Sequence, residues 1–195
     1  MEMEPRERRA LESRAWRVVS QHAILPWVIR FADLPEHARV LEIGSGAGLD
    51  AEVLLDRYPG WEYVATDRDP AMVVRCKEHL ARFGERVLVQ ECDATALPFA
   101  PDAFDLAISI GVWHHVGSWE RALAECARIL RPGGLLLLVD VLPGFFKGPL
   151  AKLFPAGRAY TLSAMRAQLG AAGFGRFRVR AAGSLWYRLV AEMPV

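Results

Sequence analysis

The chain has little cysteine, little lysine and no long apolar run, and each shortage removes a class of protein. Three cysteines in 195 residues, Cys76, Cys92 and Cys126, are odd in number and far apart, which suits neither a disulfide framework nor a zinc motif. A reducing cytoplasm is the expected setting, with no metal site. No stretch reaches the ~18 to 20 apolar residues of a membrane span. The opening MEMEPRERRALESR mixes acids with bases where a secretory signal would be apolar. Charge of one sign is missing too: 24 Lys and Arg against 23 Asp and Glu leave a formal net charge of +1. That balance gives no broad field to gather nucleic acid. Internal repeats and low-complexity tracts are also lacking.

What the chain does have is ordinary globular composition, 52% hydrophobic and 24% charged, over a length that suits one domain spanning residues 1–195. Arg6 to Gln21 carries Leu11, Ala15, Val18 and Val19 at helical spacing, and the apolar segment AILPWVIRFADLP follows. Residues 1–38 are thus expected to form N-terminal helices, free to act as a lid over an acceptor. RVLEIG, EYVATD, RVLVQECD, DLAISIG and GLLLLVDV are then short apolar runs, each long enough for a strand buried on both faces. Between them Leu49 to Tyr58, Pro70 to Phe83 and Trp119 to Leu130 show helical spacing, and RPGG at Arg131 to Gly134 reads as a helix stop. Strand alternating with helix implies βαβ crossovers, hence an α/β fold with a mainly parallel sheet and helices on both faces. The proline- and glycine-rich VLPGFFKGPLAKLFPAGRAY reads as a loop or lid. Thr161 can cap a helix through Ala171, and FGRFRVRA and SLWYRLVAEM, either side of Gly183, read as an antiparallel hairpin closing the sheet.

The glycine turn GSGAG, Gly44 to Gly48, falls where the first strand meets its helix, the place where open parallel sheets bind ligands. A phosphate-cradling loop needs glycine, four residues, then glycine and lysine. Here Leu49 stands five after Gly44 and no lysine is near. A dinucleotide fingerprint needs GxGxxG, and the third glycine, Gly48, comes one residue early. A nicotinamide cofactor is therefore disfavoured. What fits is GxGxG preceded by an acid, Glu42, with a second acid, Asp67, ending the next strand 19 residues after Gly48.

This ExGxGxG pattern with its following acid resembles the class I S-adenosylmethionine-dependent methyltransferases. ECDATALPF, FDLAISIGVWHH and ILRPGGLLLLVD match the family's third, fourth and fifth strands, so the likeness runs from about Arg39 to Met193. It implies a doubly wound, Rossmann-like seven-stranded sheet and S-adenosyl-L-methionine as cofactor, with S-adenosyl-L-homocysteine as product. It places the methionine part at Gly44, Ser45, Gly46 and Gly48, where glycines lacking Cβ let the backbone come close. It gives the ribose hydroxyls to Asp67, the adenine amino group to Asp93, a ring nitrogen to the Ala94 N–H and the cofactor's amino group to the Ile110 carbonyl. Arg68 and Met72 are expected beside the adenine, and Glu42 either orders the turn or offsets the positive charge.

Methyl transfer is an in-line displacement for which alignment supplies much of the rate, and a base is optional. His114 and His115 in GVWHHV are candidates for acid/base or acceptor-orienting work, or for packing and cofactor contact. The Asn/Asp-Pro-Pro-aromatic run of base-methylating enzymes is replaced by SIGVWHH, and no cysteine lies near for attack on cytosine. A nucleic-acid acceptor is not expected. Trp16, Trp27, Trp113, Trp119, Phe145, Phe146 and Phe154 either line an apolar acceptor pocket or pack the core. The resemblance points to the branch with quinone-biosynthesis, phospholipid and small-metabolite enzymes, hence to a small or lipid-like acceptor, with AILPWVIRF as an interfacial contact if that acceptor is a lipid. A non-catalytic cofactor-binding protein of the same fold is the alternative reading.

Overall fold

The computed structural model describes residues 18, 20–142, 160–183 and 186–195. A π-helical turn at Ser20–Ile24 leads into a short helix α1, Leu25–Ile29. The core follows as β1 (His37–Ile43), α2 (Leu49–Arg57), β2 (Gly60–Asp67), α3 (Pro70–Leu80), β3 (Val87–Glu91), β4 (Phe104–Ile110), α4 (Trp119–Ile129) and β5 (Leu130–Val141). The described elements end with α5 (Leu162–Ala171), β6 (Arg176–Ala182) and β7 (Trp186–Glu192). The seven strands form one sheet in the order β3-β2-β1-β4-β5-β7-β6. All neighbouring pairs from β3 to β5 are parallel, and β7 runs antiparallel to both β5 and β6. The expected doubly wound α/β sheet with its antiparallel hairpin is therefore what forms.

Strand alternation divides the core in two. Leu41, Ile43, Ala107, Leu136, Leu138, Leu189 and Ala191 face α4 and α5, whose Leu123, Cys126, Met165 and Leu169 cover them. Val40, Leu106, Ile108, Leu137, Val139 and Val190 face the other way, under Leu25 and Val28 of α1, Leu54 and Leu55 of α2, and Cys76 and Leu80 of α3. The order in which strands are added reverses between β1 and β4, and that switch point leaves a crevice beyond the strands' carboxyl ends.

The boundaries differ from the sequence reading in a few places. α3 stops at Leu80 and tightens into a 3-10 segment over Ala81–Arg86. RPGG does end a helix, since α4 stops at Ile129, but no loop intervenes. β5 starts at Leu130 and carries the motif as its first turn of chain, with Gly133 at φ +73° and a register shift against Phe104 and Leu106. Thr161 caps α5 as expected, accepting from the Ala164 N–H at 3.1 Å.

The segment AILPWVIRF is drawn onto the hairpin. Leu25 and Val28 are buried. The Arg188 guanidinium lies 4.3 Å from the ring centres of both Trp27 and Phe31 and donates to the Trp27 carbonyl, while Arg178 donates to the Phe31 carbonyl at 2.9 Å. Within the segment expected to make an interfacial contact if the acceptor is a lipid, Leu25 and Val28 complete the core, while Trp27, Ile29 and Phe31 keep part of their surface. Trp113 and Trp119 likewise pack in the core. The helix expected over Arg6 to Gln21 lies almost wholly outside the described residues, as do Trp16, Phe145, Phe146 and Phe154.

Candidate functional site

The glycine turn is shaped by three positive φ angles, +74° at Gly44, +53° at Gly46 and +80° at Gly48. Its first two amides, Gly44 and Ser45, both donate to the Thr66 carbonyl at 2.8 and 2.9 Å, which ties the turn to the end of β2. A Cβ on Gly44 would overlap both Val112 methyl groups, and one on Gly48 would stand 2.9 Å from Cys76 Sγ. A Cβ on Gly46 would meet none of the described residues within 4 Å. Gly44 and Gly48 therefore serve packing, whereas Gly46 leaves its space open above the turn. The same holds beyond β4, where Gly111, at φ +70°, also faces open space.

Asp67 ends β2 and turns both carboxylate oxygens to work. Oδ2 accepts from the Gly46 N–H at 2.9 Å and Oδ1 from the Asp69 N–H at 2.8 Å. Each oxygen retains a further lone pair for a hydroxyl. Burial pushes the Asp67 carboxyl up from its ordinary range, against the pull of these amides. At the next strand end Asp93 accepts from the Thr95 N–H and hydroxyl, both at 2.8 Å, and the Thr95 amide leads in holding it low. Arg68 lies 3.7 Å from the other Asp93 oxygen, on the exposed rim. Ala94 is half-buried beside it, and Ile110 ends β4 next to Gly111. Met72 is different: it is buried in the first turns of α3, 2% exposed. Glu42, the turn, Asp67, Asp93 and Ile110 are thus gathered at the carboxyl ends of four adjacent strands.

Glu42 lies beneath the turn, on the face shared with Val40, and is 2% exposed. Its Oε2 and the Tyr63 hydroxyl are both buried without completing a hydrogen bond among the described residues. Desolvation, with Asp50 and Asp67 adding like charge, pushes the Glu42 carboxyl up to about 8, only partly countered by the nearby Tyr63 phenol.

On the opposite face of the sheet a second polar cluster forms around Asp140, which is 0% exposed near the end of β5. The Gly111 amide bonds to the Val139 carbonyl at 2.7 Å and starts the 3-10 turn Trp113–His115. This brings His114 Nδ1 to 2.6 Å from Asp140 Oδ1, and the His114 backbone N–H to 2.9 Å from Oδ2. Tyr160 donates to Oδ2 at 2.9 Å and meets the Tyr187 hydroxyl at 2.5 Å. Burial beside Asp140 drives both phenols far above their ordinary pKa, so they remain neutral donors. The His115 ring centre lies 3.9 Å from that of His114, tilted by 44°, and His115 is the more exposed of the two.

Asp140, Tyr160, Tyr187 and Tyr63 were not singled out by the sequence. One signal did exist: Asp140 is the lone acid in an otherwise apolar GLLLLVDV strand, and a charge in a strand buried on both faces needs a partner.

The cradle can be tested against the sulfonium nucleoside that the motif implies. It offers an open Cβ position at Gly46, vacant lone pairs on Asp67, and a buried carboxyl oxygen with no partner near the turn, which suits a cationic guest. The residues fit.

Comparison with known proteins agrees. The model of a methyltransferase domain matches residues 41–138, just over half of the chain. A malonyl-[acyl-carrier protein] O-methyltransferase of Geobacter sulfurreducens is 34% identical over 156 residues, covering 74% of this chain and 58% of that protein. A demethylmenaquinone methyltransferase of Thermus thermophilus is 36% identical over 130 residues, covering 65% and 59%. A SAM-dependent methyltransferase structure from Aquifex aeolicus superposes with a TM-score of 0.78 at 20% identity, over 98% of this chain and 100% of the other, a likeness of fold. The chain spans less than two thirds of the length of the two curated relatives. By the domain match, and by the glycine turn and strand-end acids already described, the chain belongs to the methyltransferase-domain family.

Proposed function

We propose that the protein is an S-adenosylmethionine-dependent methyltransferase acting on a small, lipid-like or acyl-type acceptor. The observation that carries this reading is the bond from the Gly46 amide to Asp67, which locks the glycine turn to the strand-end acid while leaving the space above Gly46 clear. Bound there, S-adenosylmethionine supplies an activated methyl carbon. Asp67 accepts from the ribose hydroxyls, Asp93 and the Ala94 amide read the adenine, and the Ile110 carbonyl and the turn hold the amino-acid part. Arg68 and Met72 flank the base, Arg68 from the rim and Met72 from beneath.

Acceptor chemistry falls to the Asp140 cluster. An ionised carboxylate only accepts, so the His114 proton sits on Nδ1 and any proton exchange with an acceptor goes through Nε2. Asp140 fixes that tautomer and supports the charged ring, as a buried acid does for a catalytic imidazole. His115 orients the acceptor at the more exposed edge. A formal net charge of only +1 and the quinone and acyl-carrier substrates named for the relatives support a small apolar or acyl acceptor over nucleic acid. Cytoplasmic placement agrees with the finding that no described helix is long and apolar enough to cross a membrane.

Calorimetry with S-adenosylhomocysteine tests the cofactor half, and no heat from folded protein would sink it. A screen of quinol, fatty-acyl and small amine or hydroxyl acceptors for S-adenosylhomocysteine formation tests the transfer. Cofactor binding without product from any acceptor class would leave a non-catalytic binding protein.

A further inference from the structure

We infer that Glu42 reads the charge at the sulfur of the methyl donor: it is a neutral acid while the cradle holds no sulfonium, gives up its proton to solvent when the sulfonium arrives, and so selects the donor over its neutral-sulfur product. The inference rests on the cofactor reading above and extends it to the protonation state of one side chain.

Geometry supplies the main argument. Glu42 is 2% exposed and, among the described residues, Oε2 has no hydrogen-bond partner. Asp50 from α2, Asp67 and the Tyr63 phenol from β2, and Cys76 from α3 are the titratable groups that bear on it. Its register partner in β4 is Ile108, which is apolar. None of these groups is a cation. Ionising a carboxyl in such surroundings is costly without an opposite charge, and the group protonates instead. Its displacement up to about 8 is in keeping with that. The turn directly above is where the cradle takes its guest, so the missing opposite charge is one that the ligand can bring.

The proton count follows. In the empty cradle at pH 7 Glu42 carries a proton. On loading a sulfonium the carboxyl becomes carboxylate, one positive charge enters and one proton leaves, so the buried charge stays balanced. The ammonium is common to both ligands, so the thioether differs in lacking the charge at sulfur, and Glu42 keeps more of its proton with it. Preference for the sulfonium therefore grows as pH rises toward about 8 and levels off above it. An adjacent opposite charge lowers a carboxyl pKa by about 1 to 3, so the ratio of the two affinities should change by about 10-fold or more between pH 6 and 9.

The experiment is calorimetry with S-adenosylmethionine and S-adenosylhomocysteine at pH 6, 7, 8 and 9, each in two buffers of different ionisation enthalpy, on the wild-type protein and on Glu42→Gln. The amine is common to both ligands, so the difference in proton release between sulfonium and thioether isolates the charge at sulfur. Expected is proton release for the sulfonium in excess of that for the thioether in wild type, a pH-dependent affinity ratio, and loss of both in Glu42→Gln. Equal proton release for the two ligands in wild type, or the same pH dependence of the ratio in both proteins, overturns the inference while leaving cofactor binding intact. Failure of either ligand to bind folded protein would overturn the cofactor reading itself. Infrared difference spectra of wild-type protein carrying 13C-labelled glutamate give a check that needs no variant. The protonated carboxyl band should be lost to a greater extent with the sulfonium than with the thioether, and an equal loss with both, or a band unchanged by the sulfonium, contradicts the assignment.

Discussion

His114 donates to Asp140 twice, from its backbone N–H to Oδ2 at 2.9 Å and from ring Nδ1 to Oδ1 at 2.6 Å. The same carboxylate also accepts from the Val141 N–H at 2.7 Å and the Tyr160 hydroxyl at 2.9 Å. A fully buried acid surrounded by donors is thereby paired on every side, as a buried charge requires.

Replacing Asp140 with Asn should therefore cost stability as well as turnover. The amide offers one oxygen where two were in use and turns its own N–H groups toward donors. Breaking a buried pair of this kind costs about 3 to 5 kcal/mol, which denaturant melts will read. Tyr160→Phe removes a single hydroxyl and should cost about 1 kcal/mol.

His114→Ala should lower kcat by about 100- to 10,000-fold, the usual weight of a positioned acid or base, and leave cofactor affinity within about threefold. Single-turnover kinetics beside calorimetry will separate the two. Unchanged kcat would return His114 to a packing role.

The glycines of the turn should split into two behaviours. Gly44→Ala forces a Cβ into Val112 at a positive φ, so its melting temperature should drop sharply. Gly46→Ala meets no atom within 4 Å, so its stability should fall only by the ~1 to 2 kcal/mol of left-handed strain. Its cofactor affinity should fall much further, because the methyl occupies the guest's space.

Asp67→Asn should weaken cofactor binding by about 10- to 100-fold, the worth of one or two hydrogen bonds to a charged group. Thermal shift in the presence and absence of S-adenosylhomocysteine will measure it. The ligand-induced shift, large in wild type, should nearly vanish.

Stability of the ligand-free protein should also carry a signature of Glu42. An acid raised from 4.5 to about 8 binds a proton in the folded state that the unfolded chain has lost. Its contribution is complete below pH 4.5 and declines as pH rises to about 8, then stays level. Glu42→Gln should remove that decline and be the more stable protein at pH 8, as urea melts across the range will show.

The cofactor half of the site was legible because it is local. The glycines, Asp67 and Asp93 sit at fixed distances from strand ends, so spacing along the chain becomes spacing in the crevice. The acceptor half was not, because His114, Asp140, Tyr160 and Tyr187 meet only after four separate segments have been placed. Its place after the fourth strand marked His114 as a candidate but could not say that Asp140, 26 residues on, points at it. The RPGG motif shows a different limit. Proline and glycine mark a helix end reliably, yet whether a loop or a strand comes next depends on the neighbour, here Phe104 of β4, which pairs with Leu130.

β7 is made after β6 but lies inside it, bonded to β5 on one edge and β6 on the other. During synthesis, then, β6 has no neighbour to join in its final place, and the flank of β5 that bears Asp140 stays uncovered until Trp186–Glu192 slides in. Tyr187 arrives on that same strand, directly opposite Asp140. The late strand is a keystone: the polar cluster acquires its last hydroxyl in the same event that seals the sheet.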